Sequence, residues 1–357
     1  MRINTKEVSY IKNYVIKKVN RNLKLENFPH ITVDGKWITT EDCNWTSGFW
    51  IGLLWFSYEI TGNDMYKREA YKWLERLEER RNDKTFDLSF LFCPSFVLGY
   101  KLTGDEYLRE VGLKAANTLS TLFHDKAGFV YDKIDERTGR TIIDVMMNLP
   151  LLWWAYEETN DHKYLNVAYT HAKKTLKEFI REDFSTIHVI DFDLENGKIM
   201  KKITVQGYND NSCWSRGQAW AIYGFTLAYK YTKDKLFLKT TRNLAEYFIK
   251  NLPEDYVPYW DFDDPEKSVK DSSAAAIASS GLLTLSELSG QEEFRETALR
   301  ILDSLWDYYL AEENRDGILK HGCYHKPEGI GVDESLIWGD YYFVESLMKI
   351  GRYNEKS

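Results

Sequence analysis

The sequence has 357 residues, and its 47 Lys and Arg residues against 55 Asp and Glu residues give a formal net charge of −8. Binding to the phosphate backbone of nucleic acid requires clustered Lys and Arg, and this sequence has neither a basic balance nor a run of five basic residues. We therefore exclude nucleic acid as a partner. The length is sufficient for two domains or for one large repetitive domain.

The sequence also bears on where the protein works. No segment approaches the roughly 18 apolar residues of a membrane span, and residues 1–21 lack the apolar stretch of a secretory signal. The four cysteines, Cys43, Cys93, Cys213 and Cys323, lie far apart and show no zinc-type spacing. These features predict a cytoplasmic protein with no membrane association, no disulfide, no metal and no cofactor.

Five helical hairpins are indicated along the chain. Each time, an apolar, aromatic-rich segment is followed by a short polar turn and then by a more charged amphipathic segment. The last residue of each turn is expected to cap the second helix. The turns are Thr61-Gly62-Asn63, Thr103-Gly104-Asp105, Thr159-Asn160-Asp161, Thr232-Lys233-Asp234 and Ser289-Gly290-Gln291.

The first helix of each hairpin is apolar on nearly all sides and should be buried, whereas the second carries charge on one face and should lie outside. The predicted inner helices cover residues 46–60, 88–102, 145–158, 215–231 and 272–288, and the outer ones include 65–80 and 236–251. A sixth pair, 334–350 with 5–20, closes a ring. This alternation predicts an all-α fold, an (α/α)₆ barrel. No Pro- or Gly-rich linker interrupts it, so residues 1–357 are predicted to form a single domain.

Long connections precede several inner helices, and their alternating apolar residues and turn residues favour short strands. Because long loops at one end of a rigid scaffold usually carry the site, we expect the functional site at this end and purely structural turns at the other. The connections are residues 128–143, 186–211, 257–271 and 317–333.

Polar or acidic residues stand directly before the inner helices. Asp, Asn and Ser are preferred helix caps, and capping is the structural interpretation of each residue taken alone. Six helix N-termini together also present unpaired N–H groups and partial positive charge, which favours an anionic ligand. The residues are Asn44, Asp87, Asp144, Asn211, Ser212, Asp271, Ser272 and Asp333.

Tryptophans near the same end indicate a sugar ligand, because flat aromatic faces stack on the apolar faces of sugar rings. We assign Trp50 and Trp153 to the core. Trp45, Trp214 and Trp220 lie beside polar loops and are candidates for stacking. Aromatic residues and carboxylates without a metal signature indicate a carbohydrate-active enzyme.

Six segments, in order along almost the whole chain, carry a resemblance to a known family. They are WTSGF at 45–49, IIDVMMNLP at 142–150, QGY at 206–208, SCWSRGQAW at 212–220, DSSA at 271–274 and WGDYY at 338–342. With these segments the sequence resembles the unsaturated glucuronyl hydrolases, glycoside hydrolase family 88.

The resemblance implies an (α/α)₆ barrel that acts on oligosaccharides left by polysaccharide lyases, whose non-reducing end is a 4,5-unsaturated uronic acid. In this family an acid protonates C4 of the vinyl ether, water adds at C5, and the resulting hemiketal opens and expels the aglycone. Two alternatives are an unsaturated rhamnogalacturonyl hydrolase acting on pectin fragments and a non-catalytic sugar-binding α-barrel. The parent polysaccharide, its sulfation and the oligomeric state are left open.

The resemblance also implies roles for individual residues. Asp144 matches the general acid/base and Asp87 matches the second active-site aspartate, which contacts the sugar. The positions that match substrate-binding residues are Trp45, His188, Gln206, Arg216, Trp220 and Tyr324, to which we add Trp214 from its place beside a polar loop. Family members commonly have His immediately before the second aspartate, whereas this chain has Phe86, which removes a titratable group from the edge of the site.

Elementary chemistry sets further expectations for three of these residues. To donate a proton near neutral pH, Asp144 needs a pKa raised well above about 4, and a neighbouring carboxylate and apolar surroundings would provide this shift. Arg216 has the planar donors that grip a carboxylate, and its structural alternative is an ion pair with Asp210 or another loop acid. The structural alternative for His188 is a hydrogen bond within its strand-like stretch.

Overall fold

The computed structural model describes residues 5–41 and 44–356, and the side chains of residues 10–41 and 44–351 within them. Helices make up most of the described chain, and those of the two rings alternate along it. In chain order they are α1 (Thr5–Asn22), α2 (Ser47–Thr61), α3 (Asp64–Leu77), α4 (Leu88–Phe92), α5 (Leu98–Thr103), α6 (Glu106–Ser120), α7 (Leu149–Thr159), α8 (His162–Phe179), α9 (Ser215–Thr232), α10 (Lys235–Lys250), α11 (Ser272–Ser289), α12 (Glu292–Tyr308) and α13 (Ile337–Lys356).

The inner helices form a closed ring. Helix α2 packs against α4, which continues through a π-helical turn into α5, and the ring proceeds through α7, α9, α11 and α13 back to α2. The N-terminal helix α1 packs against both α13 and α2 and so completes the outer layer. The predicted (α/α)₆ barrel is therefore confirmed, and its core fills the space between the two rings.

The five turns between inner and outer helices follow from their sequences. The middle residue of each turn ends the inner helix in the left-handed conformation, with φ between 56° and 72°; these residues are Gly62, Gly104, Asn160, Lys233 and Gly290. The side chains of the next residues cap the outer helices, at Asn63, Asp105, Asp161 and Asp234. Gln291 makes no cap hydrogen bond, so the capping prediction is wrong at this turn.

The second inner helix differs from the continuous segment predicted over residues 88–102. A π-helical turn (Cys93–Val97) separates α4 from α5. Pro94 causes this local rearrangement because it has no N–H to donate to the helical ladder. The hydroxyl of Ser95 donates to the carbonyl of Leu91, and the indole N–H of Trp55 donates to the carbonyl of Ser95 over 2.8 Å.

Two other inner helices begin later than predicted. A 3₁₀ turn (Ile143–Met147) precedes α7, which starts at Leu149 because Pro150 is suited to the first turn of a helix. Asp144 therefore lies in the 3₁₀ turn and not at the start of an α-helix. Helix α13 begins at Ile337, since Glu334 still belongs to a strand.

Short antiparallel strands occupy the end where the inner helices begin. Strands β5 (Lys133–Asp135), β6 (Thr138–Ile142), β7 (Val189–Asp193) and β8 (Ile199–Ile203) form one sheet, and three hairpins pair β1 (Phe28–Val33) with β2 (Lys36–Thr40), β3 (Phe123–His124) with β4 (Phe129–Val130), and β9 (Gly322–His325) with β10 (Ile330–Glu334). Residues 257–271 make only isolated bridges. The β1–β2 hairpin was not predicted, although its turn, Asp34-Gly35, has the left-handed pair that favours hairpins.

Two findings concern the expectations about compartment. The described cysteines Cys93, Cys213 and Cys323 are free thiols, and Cys43 lies outside the described residues. Among the described residues, no helix combines the length and the apolar character that crossing a membrane requires.

Candidate active site

Three carboxylates from separate parts of the chain lie close enough for their charges to interact. Asp87 directly precedes α4, Asp132 follows β4, and Asp144 follows β6 in its 3₁₀ turn. Burial makes the largest contribution to raising the pKa of Asp87. The charge of Asp132 raises it further, and the charge of Asp144 adds a smaller increase. Sequence reasoning identified Asp87 and Asp144 but missed Asp132, whose stretch carries no motif.

Asp144 has the properties expected of a proton donor. Burial raises its pKa to about 7, against the lowering influence of Arg216, and the charge of Asp132 adds to the increase. Its Oδ2 atom is buried and accepts no well-oriented hydrogen bond in the described part of the chain; the buried indole N–H of Trp220 lies near the carboxylate and lowers its pKa by favouring the charged form. A buried carboxylate oxygen without a well-oriented hydrogen bond indicates that a ligand supplies its partner.

Asp87 is free of the capping role that its position suggests. Its carboxylate does not cap α4; the hydroxyl of Thr85 lies 3.4 Å from its Oδ2. The N–H groups of Ser89 and Phe90 instead donate to Oδ1 of Asn148, over 3.0 and 3.3 Å. Asn148 thus caps α4 from the neighbouring inner helix, and sequence reasoning gave it no role although it lies within the quoted segment 142–150.

The other residues before the inner helices fall into different classes. Asp271 does cap its helix, accepting the N–H of Ser273 over 3.0 Å. Ser212 donates to Asp261 over 2.7 Å, and Asp333 lies in β10 beside the ring of His321. The capping interpretation is therefore right for Asp271 and wrong for Asp87, Asp144 and Asp333.

His188 is held as a neutral donor that faces Asp144. Its Nδ1 accepts the backbone N–H groups of Val205 and Gln206, over 3.2 and 3.3 Å, so its proton lies on Nε2. Burial lowers the pKa of His188 to about 3, and Nε2 lies 4.0 Å from Oδ2 of Asp144. The structural hydrogen bond and the place in the site are therefore both realised.

Arg216 is buried, and both terminal nitrogens of its guanidinium group donate hydrogen bonds to other residues of the protein. Its Nη1 donates to Asp271 over 2.9 Å and to the carbonyl of Cys323, while Nη2 donates to Gln206 Oε1 and the carbonyl of Tyr324, each over 2.6 Å. The ion pair foreseen as its structural alternative is formed with Asp271, not with Asp210. Arg216 therefore fixes Gln206 and the β9 strand beside the carboxylates.

An aromatic wall connects the remaining candidates. Trp45 contacts Trp338 with ring centroids 5.0 Å apart, Phe90 bridges Trp45 and Trp220, and Tyr324 packs on Trp338 at 5.1 Å. Trp45 and Tyr324 are half-buried and so present ring surface to the site. Burial raises the pKa of Tyr324, a hydrogen bond with Trp45 and the charge of Arg216 lower it, and the charges of Asp87 and Asp144 add to the increase.

Trp214 is less open than the sequence indicated. It is 3% exposed and lies between the ring of His188, at 4.4 Å, and the guanidinium of Arg216, at 4.6 Å. Its position suits support of these two side chains. Phe86 is also buried, and Trp50 and Trp153 lie in the core as assigned. Among the described residues, no group of three or more His, Cys, Asp or Glu side chains is arranged to hold a metal ion.

Comparison with known proteins gives consistent matches. The model of Glycosyl Hydrolase Family 88 matches residues 11–355. The unsaturated chondroitin disaccharide hydrolase of Streptococcus pneumoniae is 38% identical over 362 residues, covering 96% of this chain and 91% of that protein. Two solved structures are similar over nearly the whole chain. The first, a UGL with dGlcA-Glc-Rha-Glc, has a TM-score of 0.92 and 35% identity over 96% of each chain. The second, an unsaturated glucuronyl hydrolase specific for heparin, has a TM-score of 0.95 and 32% identity over 99% of each chain.

Proposed function

Because this chain belongs to glycoside hydrolase family 88, we propose that Asp144 starts the release of a 4,5-unsaturated uronic acid from the non-reducing end of lyase-generated oligosaccharides. The chain is a glycosidase of the unsaturated glucuronyl hydrolase type. The observation that carries the role of Asp144 is its buried carboxyl group with a pKa of about 7, whose Oδ2 accepts no well-oriented hydrogen bond and lies 4.0 Å from Nε2 of His188.

The chemistry begins with a proton and ends with the loss of the aglycone. Asp144 gives its proton to C4 of the sugar, and positive charge develops across C5 and the ring oxygen. Water adds at C5, and the proton that it releases returns to the Asp144 carboxylate. The resulting hemiketal opens, the former anomeric carbon becomes an aldehyde, and the aglycone leaves with its oxygen protonated.

The neighbouring residues hold the sugar and keep the acid ready. The raised pKa of both Asp87 and Asp144 limits negative charge in the site, which favours a substrate that is itself a carboxylate. Trp45 and Tyr324 provide aromatic surface for the sugar, and the Nε2–H of His188 is available to a substrate oxygen beside Asp144. Arg216 acts through Gln206, which it fixes at 2.6 Å.

A panel of unsaturated disaccharides tests this function. The conjugated double bond absorbs in the ultraviolet, and its hydration removes that absorbance. Chondroitin-, heparin- and hyaluronan-derived disaccharides, sulfated and unsulfated, are compared with an unsaturated galacturonyl-rhamnose. We expect absorbance to fall with at least one glucuronyl substrate. Loss with the galacturonyl compound alone would indicate a rhamnogalacturonyl hydrolase, and no loss with any substrate would indicate a non-catalytic sugar-binding barrel.

We also propose a cytoplasmic location. Three free thiols, at Cys93, Cys213 and Cys323, suit a reducing compartment, where disulfides rarely persist. Cell fractionation followed by immunodetection tests this, with the cytoplasmic fraction expected to hold the protein.

A further inference from the structure

A cavity lies at the end of the barrel opposite the carboxylates, where the sequence predicts only structural turns. Its volume is about 410 Å³, within the range of small-molecule sites. It opens among the C-terminal halves of the inner helices, and its apolar wall includes Phe56, Leu98, Trp154, Leu227, Leu283 and Met348. Nothing in the proposed reaction uses this cavity.

The charged residues of the cavity do not balance one another. Lys349 pairs with Glu345 at 3.3 Å and donates to the hydroxyls of Tyr223, Ser280 and Thr284, so this pair is satisfied. Glu287 and Arg295 also line the cavity, and both have interaction partners.

Two further cations line the cavity. Lys101 and Lys230 line the same cavity, are exposed, and make no hydrogen bond or ion pair with the side chains described in residues 10–41 and 44–351; Nζ of Lys230 lies 5.5 Å from the ring centroid of Tyr231. Burial lowers the pKa of Lys101, and the charge of Lys230 also lowers it, against the raising influence of Cys93, Glu157 and Glu158. Two ammonium groups that repel each other beside an apolar surface are the arrangement that an anionic ligand relieves.

The buried indole of Trp154 adds a further donor to this wall. Trp154 is 2% exposed, and its Nε1 has no hydrogen-bond partner in the described chain. The core tryptophans Trp50 and Trp153 have the same unpartnered indole N–H, so the cavity and its two lysines carry the inference.

We propose that this cavity binds an organic anion with an apolar aromatic or aliphatic body, whose charged group is held by Lys101 and Lys230. The apolar wall contacts the body of the molecule, and the ammonium groups of the two lysines donate hydrogen bonds to its carboxylate or sulfonate. The competing explanation is purely structural: both lysines lie in the last turn of an inner helix, where a cation is favourable to the helix dipole.

Titration with 8-anilinonaphthalene-1-sulfonate tests the proposal, since its fluorescence increases in an apolar site. We expect saturable binding of one molecule per chain. The double variant Lys101→Gln/Lys230→Gln should weaken it at least tenfold, and Leu283→Trp, which fills the cavity, should abolish it. Lys114→Gln/Lys239→Gln, which removes two exposed charges from outer helices, is the matched control and should bind as the unmodified protein does.

A neutral analogue, N-phenyl-1-naphthylamine, separates charge from apolar contact. It should bind the unmodified protein and the Lys101→Gln/Lys230→Gln variant equally. The proposal is overturned if the sulfonate shows no saturable binding. It is equally overturned if Lys101→Gln/Lys230→Gln lowers the thermal midpoint but leaves the sulfonate affinity unchanged, because the lysines would then serve the helix ends alone.

Discussion

At the scale of single residues, the carboxylates divide by what their oxygens accept. The carboxylate of Asp271 accepts hydrogen bonds from the backbone N–H and the hydroxyl of Ser273, whereas Oδ2 of Asp144 accepts no well-oriented hydrogen bond in the described chain. The same residue type shortly before an inner helix therefore caps the helix in one case and keeps an oxygen available to a ligand in the other. The difference depends on which groups folding brings nearby, and a local sequence pattern cannot show it.

Replacement of Asp144 by Asn tests the proton donor directly. The amide keeps the shape of the side chain but cannot supply the proton, and general acid catalysis is worth about 10²- to 10⁴-fold. We expect kcat to fall by about 10³-fold while KM changes little, measured by loss of substrate absorbance. Asp125→Asn, at an exposed aspartate, is the control and should leave kcat unchanged. Activity retained by Asp144→Asn would remove this residue from the role.

The third carboxylate, Asp132, is expected to influence the pH range in which the enzyme is active. Its charge raises the pKa of both Asp87 and Asp144. Since Asp144 must be protonated to act, kcat/KM should fall as the pH rises through about 7. Asp132→Asn removes a negative charge, lowers the pKa of Asp144 and moves this falling limb to lower pH, as a pH profile of kcat/KM would record. The exposed Asp135→Asn serves as control, and a shift to higher pH would contradict the coupling.

How far the sequence predicts the site depends on whether a residue acts alone or through others. Asp144 belongs to a segment that carries the family resemblance, Asp87 and His188 match family positions outside those segments, and the structure brings Asp144 near both. Asp132 was missed because its effect arises only when folding brings it near Asp87 and Asp144. Arg216 was expected to grip the substrate, but its partners come from separate elements that the sequence does not reveal as neighbours.

At the scale of elements, the inner helices support the site by capping one another. Oδ1 of Asn148 accepts two N–H groups of α4 and thereby leaves Asp87 free. Asn148→Ala should lower stability by about 1 kcal/mol through loss of the cap, and should reduce kcat roughly tenfold or more because Asp87 shifts or caps the helix itself. The thermal midpoint and kcat are both measured.

A matched cap on an outer helix provides the control for Asn148. Asn63 caps α3 by accepting the N–H of Met65 over 2.9 Å, far from the carboxylates along the chain and at the opposite end of the barrel. Asn63→Ala should lower the thermal midpoint similarly and leave kcat unchanged. An equal loss of activity in both variants would mean that Asn148 contributes stability alone.

The elements themselves could be predicted where their signals are local. A left-handed residue followed by a capping side chain marks four of the five turns, because both requirements are met within three residues. The delayed start of α7 reflects Pro150, which was visible, and the π-helical turn reflects Pro94. Strand partners were less predictable, since β6 pairs with β7 across an intervening pair of helices.

At the scale of the whole molecule, the barrel separates two environments. Helix N-termini, strands and carboxylates gather at one end, and helix C-termini, lysines and an apolar cavity at the other. These two environments arise because all inner helices run in the same direction. The partial charge of the helix dipoles is therefore positive at one end of the barrel and negative at the other. Burial of carboxylates at the first end has a consequence for the stability of the whole fold.

The buried acid should make the protein less stable as the pH rises. The pKa of Asp144 is about 7 in the folded state against an ordinary 3.8, so the folded protein holds this proton more tightly than the unfolded chain. The stability that it contributes is present below about pH 4 and is lost as the pH rises through 7. Asp144→Asn cannot ionise, and at pH 8 it should exceed the unmodified protein in unfolding free energy by up to about 4 kcal/mol, with little difference near pH 4.

Thermal midpoints at the two pH values measure this effect, and Asp340 provides the contrast. Burial also raises the pKa of Asp340 to about 7, but its oxygens accept the N–H groups of Ile318 and Leu319, each over 2.8 Å. An amide replaces one of these acceptors with a donor, so Asp340→Asn should lower the midpoint at both pH values. A midpoint of Asp144→Asn below that of the unmodified protein at pH 8 would show that this carboxylate is stabilised when charged, and it would remove the basis for a proton donor there.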